Sequence, residues 1–123
     1  MRISGYIVFG ASLLASLPGQ ANDDKNHILQ RLKALQTQGV EQSEKYLYSD
    51  MEQLKQCVDE SHSFRNEAKE LQQTIMKSND VIFRMPAYQA ADLAFQCVYC
   101  SETAISYCEK MDKYIQRTEK SIK

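Results

Sequence analysis

The chain has 123 residues, with 15 basic against 16 acidic side chains and a net charge of −1 when both histidines are neutral. That balance offers no electrostatic case for nucleic acid, which calls for a basic face, and the length supports one domain with a modest core but not two. Four cysteines, Cys57, Cys97, Cys100 and Cys108, remain the strongest chemical signal.

Arg2 precedes an uncharged run from Ile3 to Leu17, then Pro18-Gly19-Gln20-Ala21, then Asn22-Asp23-Asp24. This is the order of a secretory leader, with Gly19 and Ala21 where a signal peptidase reads small residues, and cleavage is expected after Ala21. The apolar run of about 15 residues is shorter than the ~20 that a membrane-spanning helix needs. No cysteine follows directly, so a lipid-modified N-terminus is not expected. Arg2 is the one charged residue in the leader, and its loss leaves 14 basic against 16 acidic side chains. The expected product is a single domain, residues 22–123, in the periplasm or outside the cell.

Beyond the leader Gly39 and Pro86 are the only glycine and proline, and they divide the domain into three helical segments, about 24–38, 41–79 and 86–118. Ile28, Leu32 and Leu35 mark the first. The second places Leu47, Leu54, Ser61, Ala68, Ile75 and Ile82 at sevenfold spacing, with Cys57, Phe64, Leu71 and Met85 interleaved, a helix-packing seam. It reads either as one long helix or as two that break near Ser61-His62-Ser63, where hydroxyl side chains compete for backbone hydrogen bonds. In the third segment, Ala90, Leu93, Cys97, Cys100, Ala104, Cys108, Met111 and Ile115 follow in steps of three or four. Pro86 suits the first turn of that helix. No stretch alternates with a period of two, so no strand is expected.

All four cysteines fall on these seams. In an oxidising compartment such a set becomes a disulfide framework. On an unbroken third helix Cys100 and Cys108 stand ~12 Å apart and Cys97 and Cys108 ~16 Å. A disulfide needs Cα atoms within about 7 Å. Cys57 must therefore reach across from the second segment, and Cys57 to Cys108 is the preferred pair because it centres the hairpin turn between Ile82 and Phe83. The competing pair, Cys57 to Cys100, centres it near Ser78 and Asn79. Cys97 and Cys100 are left as a second pair, at a spacing that strains a regular helix. They read as a second structural bridge, a redox-active dithiol or half of a metal site. Ser101 stands where haem attachment needs histidine.

His27 and His62 read as solvated helical residues, since the neighbours of His62 point different ways around a helix and form no triad. The acids do not converge. Lys110, Lys113, Arg117 and Lys120 form a basic stripe that complements the helix C-terminus and offers a docking face to an acidic partner or an anionic lipid surface. Tyr107 and Tyr114 flank the buried seam as rim or interface residues, and Tyr46 and Tyr48 stand at the start of the second segment.

The expectation is an all-α, disulfide-stapled, small three-helix domain dominated by a long antiparallel hairpin. It acts as a binding or assembly module of the adaptor, chaperone, pilot or inhibitor type. Its partner is another protein or a second copy joined by a coiled-coil-like seam, with membrane contact at most peripheral and no nucleic acid. No catalytic residue, metal or cofactor is assigned. The alternative is a thiol-disulfide or metal-handling protein using Cys97 and Cys100.

Overall fold

The computed structural model describes residues 18–122, which form four helices: α1 (Pro18–Lys45), α2 (Met51–Met76), α3 (Val81–Cys97) and α4 (Ala104–Ser121). The expected leader, residues 1–21, lies outside the described residues except for its last four, whose backbone already belongs to α1. The domain is all-α and held by two disulfides, as composition and periodicity imply. Three expected segments become four helices because the breaks fall elsewhere.

Two aspartates set the starts of α2 and α3. The Asp50 carboxylate accepts the Glu52 N–H at 3.0 Å, and the Gln53 side chain closes back on this cap by donating to the Asp50 carboxylate at 3.2 Å while accepting the Leu47 N–H at 2.8 Å. An acid followed three residues later by Gln is a capping-box pattern, and it ends the run that heptad spacing would have carried through. Asp80 caps α3 in the same way, accepting from the Phe83 N–H at 3.2 Å. Pro86 consequently lies in the second turn of α3, not the first. Around Ser61-His62-Ser63, α2 is unbroken: the Ser61 hydroxyl donates to the Val58 carbonyl at 3.3 Å without opening the helix and accepts from the Arg65 guanidinium at 2.6 Å.

Gly39, expected to separate two helices, lies inside α1. A Cβ placed there would come within 3.0 Å of Cys97 Sγ, the Cys97 carbonyl oxygen and Cys108 Sγ. The glycine is needed for a close approach of α1 to a disulfide, not for a turn.

The helices run up, down, up, down. Lys25 pairs with Asp80 at 2.6 Å, Arg31 with Glu67, and Lys45 with Glu60 at 3.3 Å, which lays α2 antiparallel to α1. Gln72 to Asp92 ties α2 to α3, and Gln36 to Asp112 ties α1 to α4. α3 packs on all three other helices, whereas α2 and α4 do not meet. Its inner face explains this: Ala87, Ala90, Ala91 and Ala94 are fully buried, and their small side chains let α1 cross the diagonal. Leu32 and Leu35 of α1, Ile75 of α2, Phe83 of α3 and Met111 of α4 fill the remaining core. Each such side chain contributes about 1.5–3 kcal/mol by leaving water. Ala68, Leu71, Ile75 and Cys57 of the expected seam are buried, but Leu47, Ile82 and Met85, at 59%, 75% and 64% exposure, are not. All three lie at or beyond the new helix breaks, where the sevenfold phase is lost.

Candidate interaction surface

The disulfides join Cys57 to Cys100 and Cys97 to Cys108, with Cα separations of 6.1 and 4.7 Å. This corrects the preferred pairing of Cys57 with Cys108 and of Cys97 with Cys100. The geometric premise was sound, since Cys97 and Cys108 cannot meet along an intact helix, but the helix is not intact. It stops at Cys97 and restarts at Ala104, so α4 folds back beside α3 and the two cysteines face each other across the corner. The α2–α3 turn falls at Lys77–Asp80, the position that pairing Cys57 with Cys100 requires. Cys97 and Cys100 thus belong to different bridges, no cysteine is free, and the Cys-x-x-Cys spacing does not form a dithiol unit.

Side chains of α1 close this corner. Buried Gln42 donates its amide to the Val98 carbonyl at 3.0 Å, satisfying an acceptor at the C-terminus of α3, and Gln36 donates to the Cys108 carbonyl at 2.8 Å. Buried Tyr46 donates its hydroxyl to the Glu60 carboxylate; that bond holds Glu60 below the usual carboxylate range and raises Tyr46. Tyr48 is raised too, by burial beside the Cys57–Cys100 bridge.

At the other end of the bundle the surface is open. An apolar cleft of about 490 Å³ runs between α3 and α4, lined by Ile82, Met85, Pro86, Gln89, Tyr114 and Arg117. It continues past Gln89 and Tyr114 into a second hollow reaching Leu93, Lys110 and Lys113. From Ile82 to Leu93 the groove follows twelve residues of α3, about 16 Å at the helical rise. Tyr114 divides it, with Lys113 Nζ 4.9 Å and Arg117 Cζ 5.6 Å from its ring centroid. Among the described residues Lys110, Lys113, Arg117 and Lys120 form no ion pair; of the acids of the same helix, Glu119 pairs with Lys33 and Asp112 accepts from Gln36, and both Asp112 and Glu109 line the second hollow beside Lys110 and Lys113. The α4 flank of the groove thus sets Lys110, Lys113 and Arg117 against Glu109 and Asp112, a small net positive charge concentrated at the Arg117 end.

Of the six residues expected at an interface, Tyr114, Lys110, Lys113 and Arg117 come together along this groove. Tyr107 carries Lys110 over its ring at 5.1 Å and packs on the core, and Lys120 is exposed outside the cleft. The α3 wall of Ile82, Met85, Pro86, Gln89 and Leu93 is not expected from the sequence, because the sevenfold spacing assigns Ile82 and Met85 to the core. Arg84 and Asp92 are the only charges among the 17 residues of α3, and a helix apolar on both faces needs a second cover. Both histidines are exposed, and His62 bonds only Asn66 at 3.2 Å. Among the described residues no three His, Cys, Asp or Glu side chains converge as metal ligands, and no helix is long and apolar enough to cross a membrane. Comparison with family models, curated proteins and solved structures finds no match to this chain.

Proposed function

We propose that the protein is an exported, non-enzymatic helical module that works by binding another protein along the α3–α4 groove. One observation carries this reading: Ile82 and Met85 stand 75% and 64% exposed in an open cleft beside Tyr114 and Arg117. Contiguous exposed apolar surface rimmed by polar groups marks contact sites. Tyrosine and arginine are the residue types that contribute most when such a site closes. Export is supported by the leader-like order of residues 1–21 and by the two disulfides, which persist in oxidising compartments.

The test is photo-crosslinking in intact cells, with a crosslinking amino acid at Gln89 in the groove and, as control, at His62 on the exposed face of α2. A discrete adduct is expected from position 89 and none from 62, and Ile82→Ser with Met85→Ser should abolish it. No adduct at 89, or equal labelling at both positions, would overturn the reading.

A further inference from the structure

The two ends of this bundle carry opposite charge, and each leaves apolar side chains uncovered. At the α1–α2 loop Leu47 is 59% and Met51 77% exposed. Leu47 shares a second cleft with Tyr46, Tyr48, Ile105 and two acids, Glu44 and Glu102. Across residues 41–60 and 98–106, which build this end, seven acids face two lysines. The groove at the opposite end has a flank of the reverse net sign, with Lys110, Lys113 and Arg117 against Glu109 and Asp112, and Arg117 is the charge that lies beside Ile82 and Met85.

We infer that the groove of one copy receives the α1–α2 loop of a second copy, head to tail. This rests on the reading that the groove is a protein-binding surface and names its occupant. Apolar residues at the loop meet apolar residues in the groove, and the Glu44 and Glu102 flank faces the Lys113 and Arg117 flank. The alternatives within a pair of copies are worse matched. Groove against groove sets one net positive flank on another and leaves the acidic loop unmatched, and loop against loop sets acids on acids, an arrangement that opposes association. An anionic bilayer would suit the groove but would leave the loop uncovered and would face an acidic far end. A net charge of −2 over residues 22–123, 14 basic against 16 acidic side chains, leaves little general repulsion between copies. Because donor and acceptor surfaces differ, each added copy exposes a fresh groove and a fresh loop, so association continues into rings or open chains.

Sedimentation velocity of the purified, oxidised protein over a wide concentration range tests this. The weight-average sedimentation coefficient should climb past that of a dimer at low salt and fall back at about 0.5 M salt, where charges are screened within a few ångströms. Two variants isolate the surfaces: Ile82→Ser with Met85→Ser removes the groove, and Leu47→Ser with Met51→Ser removes the loop. All four residues are exposed, so both variants should keep the parental circular dichroism and unfolding midpoint. Each alone should be monomeric. Mixed, they should form a 1:1 complex and nothing larger, since one retains a loop and the other a groove. Lys113→Glu with Arg117→Glu should weaken association at least about tenfold, and adding Glu44→Lys with Glu102→Lys should restore it.

A wild-type protein that stays monomeric at low salt would overturn the inference. So would a dimer lost only in the groove variant, or a mixture that fails to pair. If the protein is monomeric and Gln89 still crosslinks to a different protein, head-to-tail pairing fails while the proposed function stands. If Gln89 crosslinks to nothing, both fail.

Discussion

The two ends of this bundle solve opposite problems. At one, Cys57–Cys100, Cys97–Cys108, Gly39 and Gln42 interlock so closely that no further atom fits on Gly39. At the other, Lys25–Asp80, a surface ion pair, and the Asp80 cap tie down the α2–α3 turn, while Ile82 and Met85 stand in solvent. A domain of about a hundred residues has little stability to spare, and the stapling of one end offsets the apolar surface left exposed at both, Leu47 and Met51 at the stapled end and Ile82 and Met85 at the other. The link between them is the Cys97–Cys108 bridge. It holds the corner at which one expected helix becomes the α3–α4 hairpin, and the outer face of that hairpin is the groove.

Substitutions should separate the two ends cleanly. Cys57→Ser with Cys100→Ser opens a bridge of sequence separation 43 and should cost about 4 kcal/mol by loop entropy, the largest loss expected, read from denaturant unfolding. Cys97→Ser with Cys108→Ser, at separation 11, should cost about 3 kcal/mol and also loosen the groove, so that crosslinking from Gln89 falls. Gly39→Ala should destabilise by about 1–3 kcal/mol through overpacking against the bridge, and oxidative refolding should show delayed formation of Cys97–Cys108. If Gly39→Ala is neutral, α1 does not approach the corner as described.

Smaller effects belong to the open end. Lys25 and the Phe83 N–H hold the Asp80 carboxyl below the usual aspartate range. Its stabilising contribution is therefore complete above about pH 4, the ordinary aspartate pKa, and disappears as pH falls through the lower value it has in the fold. Asp80→Asn, which keeps a capping side chain without the charge, should lower the unfolding midpoint slightly at pH 7. The difference should shrink as pH falls below about 4. Ile82→Ser with Met85→Ser should leave the unfolding midpoint unchanged and remove binding; a large loss of stability would mean these residues are core after all.

Much of the fold is legible in the sequence. The three-and-four spacing from Ala90 to Ile115 names a real packing face, and of that series only Leu93 is not buried. The all-α class follows from the absence of two-residue alternation. The breaks are harder to see, because periodicity does not register them: Cys97, Cys100, Ala104 and Cys108 keep a helical phase straight across the corner at residues 98–103. Asp50 with Gln53, and Asp80 just ahead of Val81, were the available signals, and a capping pattern inside a heptad run outweighs the run. Gly39 shows a different limit. A glycine reads as a break in one dimension, and only the arrival of Cys97 and Cys108 from elsewhere in the chain reveals why a side chain is forbidden there. The groove was half visible. Its net positive flank follows from the spacing of Lys110, Lys113 and Arg117, but its apolar wall lay hidden in residues that the heptad pattern assigned to the core.

Disulfide mapping tests the link between the two ends most directly. Trypsin leaves Cys97, Cys100 and Cys108 in one peptide, so the unreduced protein should be cut after Tyr99 by chymotrypsin and after Glu102 by a glutamate-specific protease before mass spectrometry. The expected result is a peptide containing Cys57 joined to one containing Cys100, with the Cys97 peptide joined to that of Cys108. Cys57 joined to Cys108, with Cys97 joined to Cys100, would contradict the corner at residues 98–103 and with it the α3–α4 hairpin and its groove.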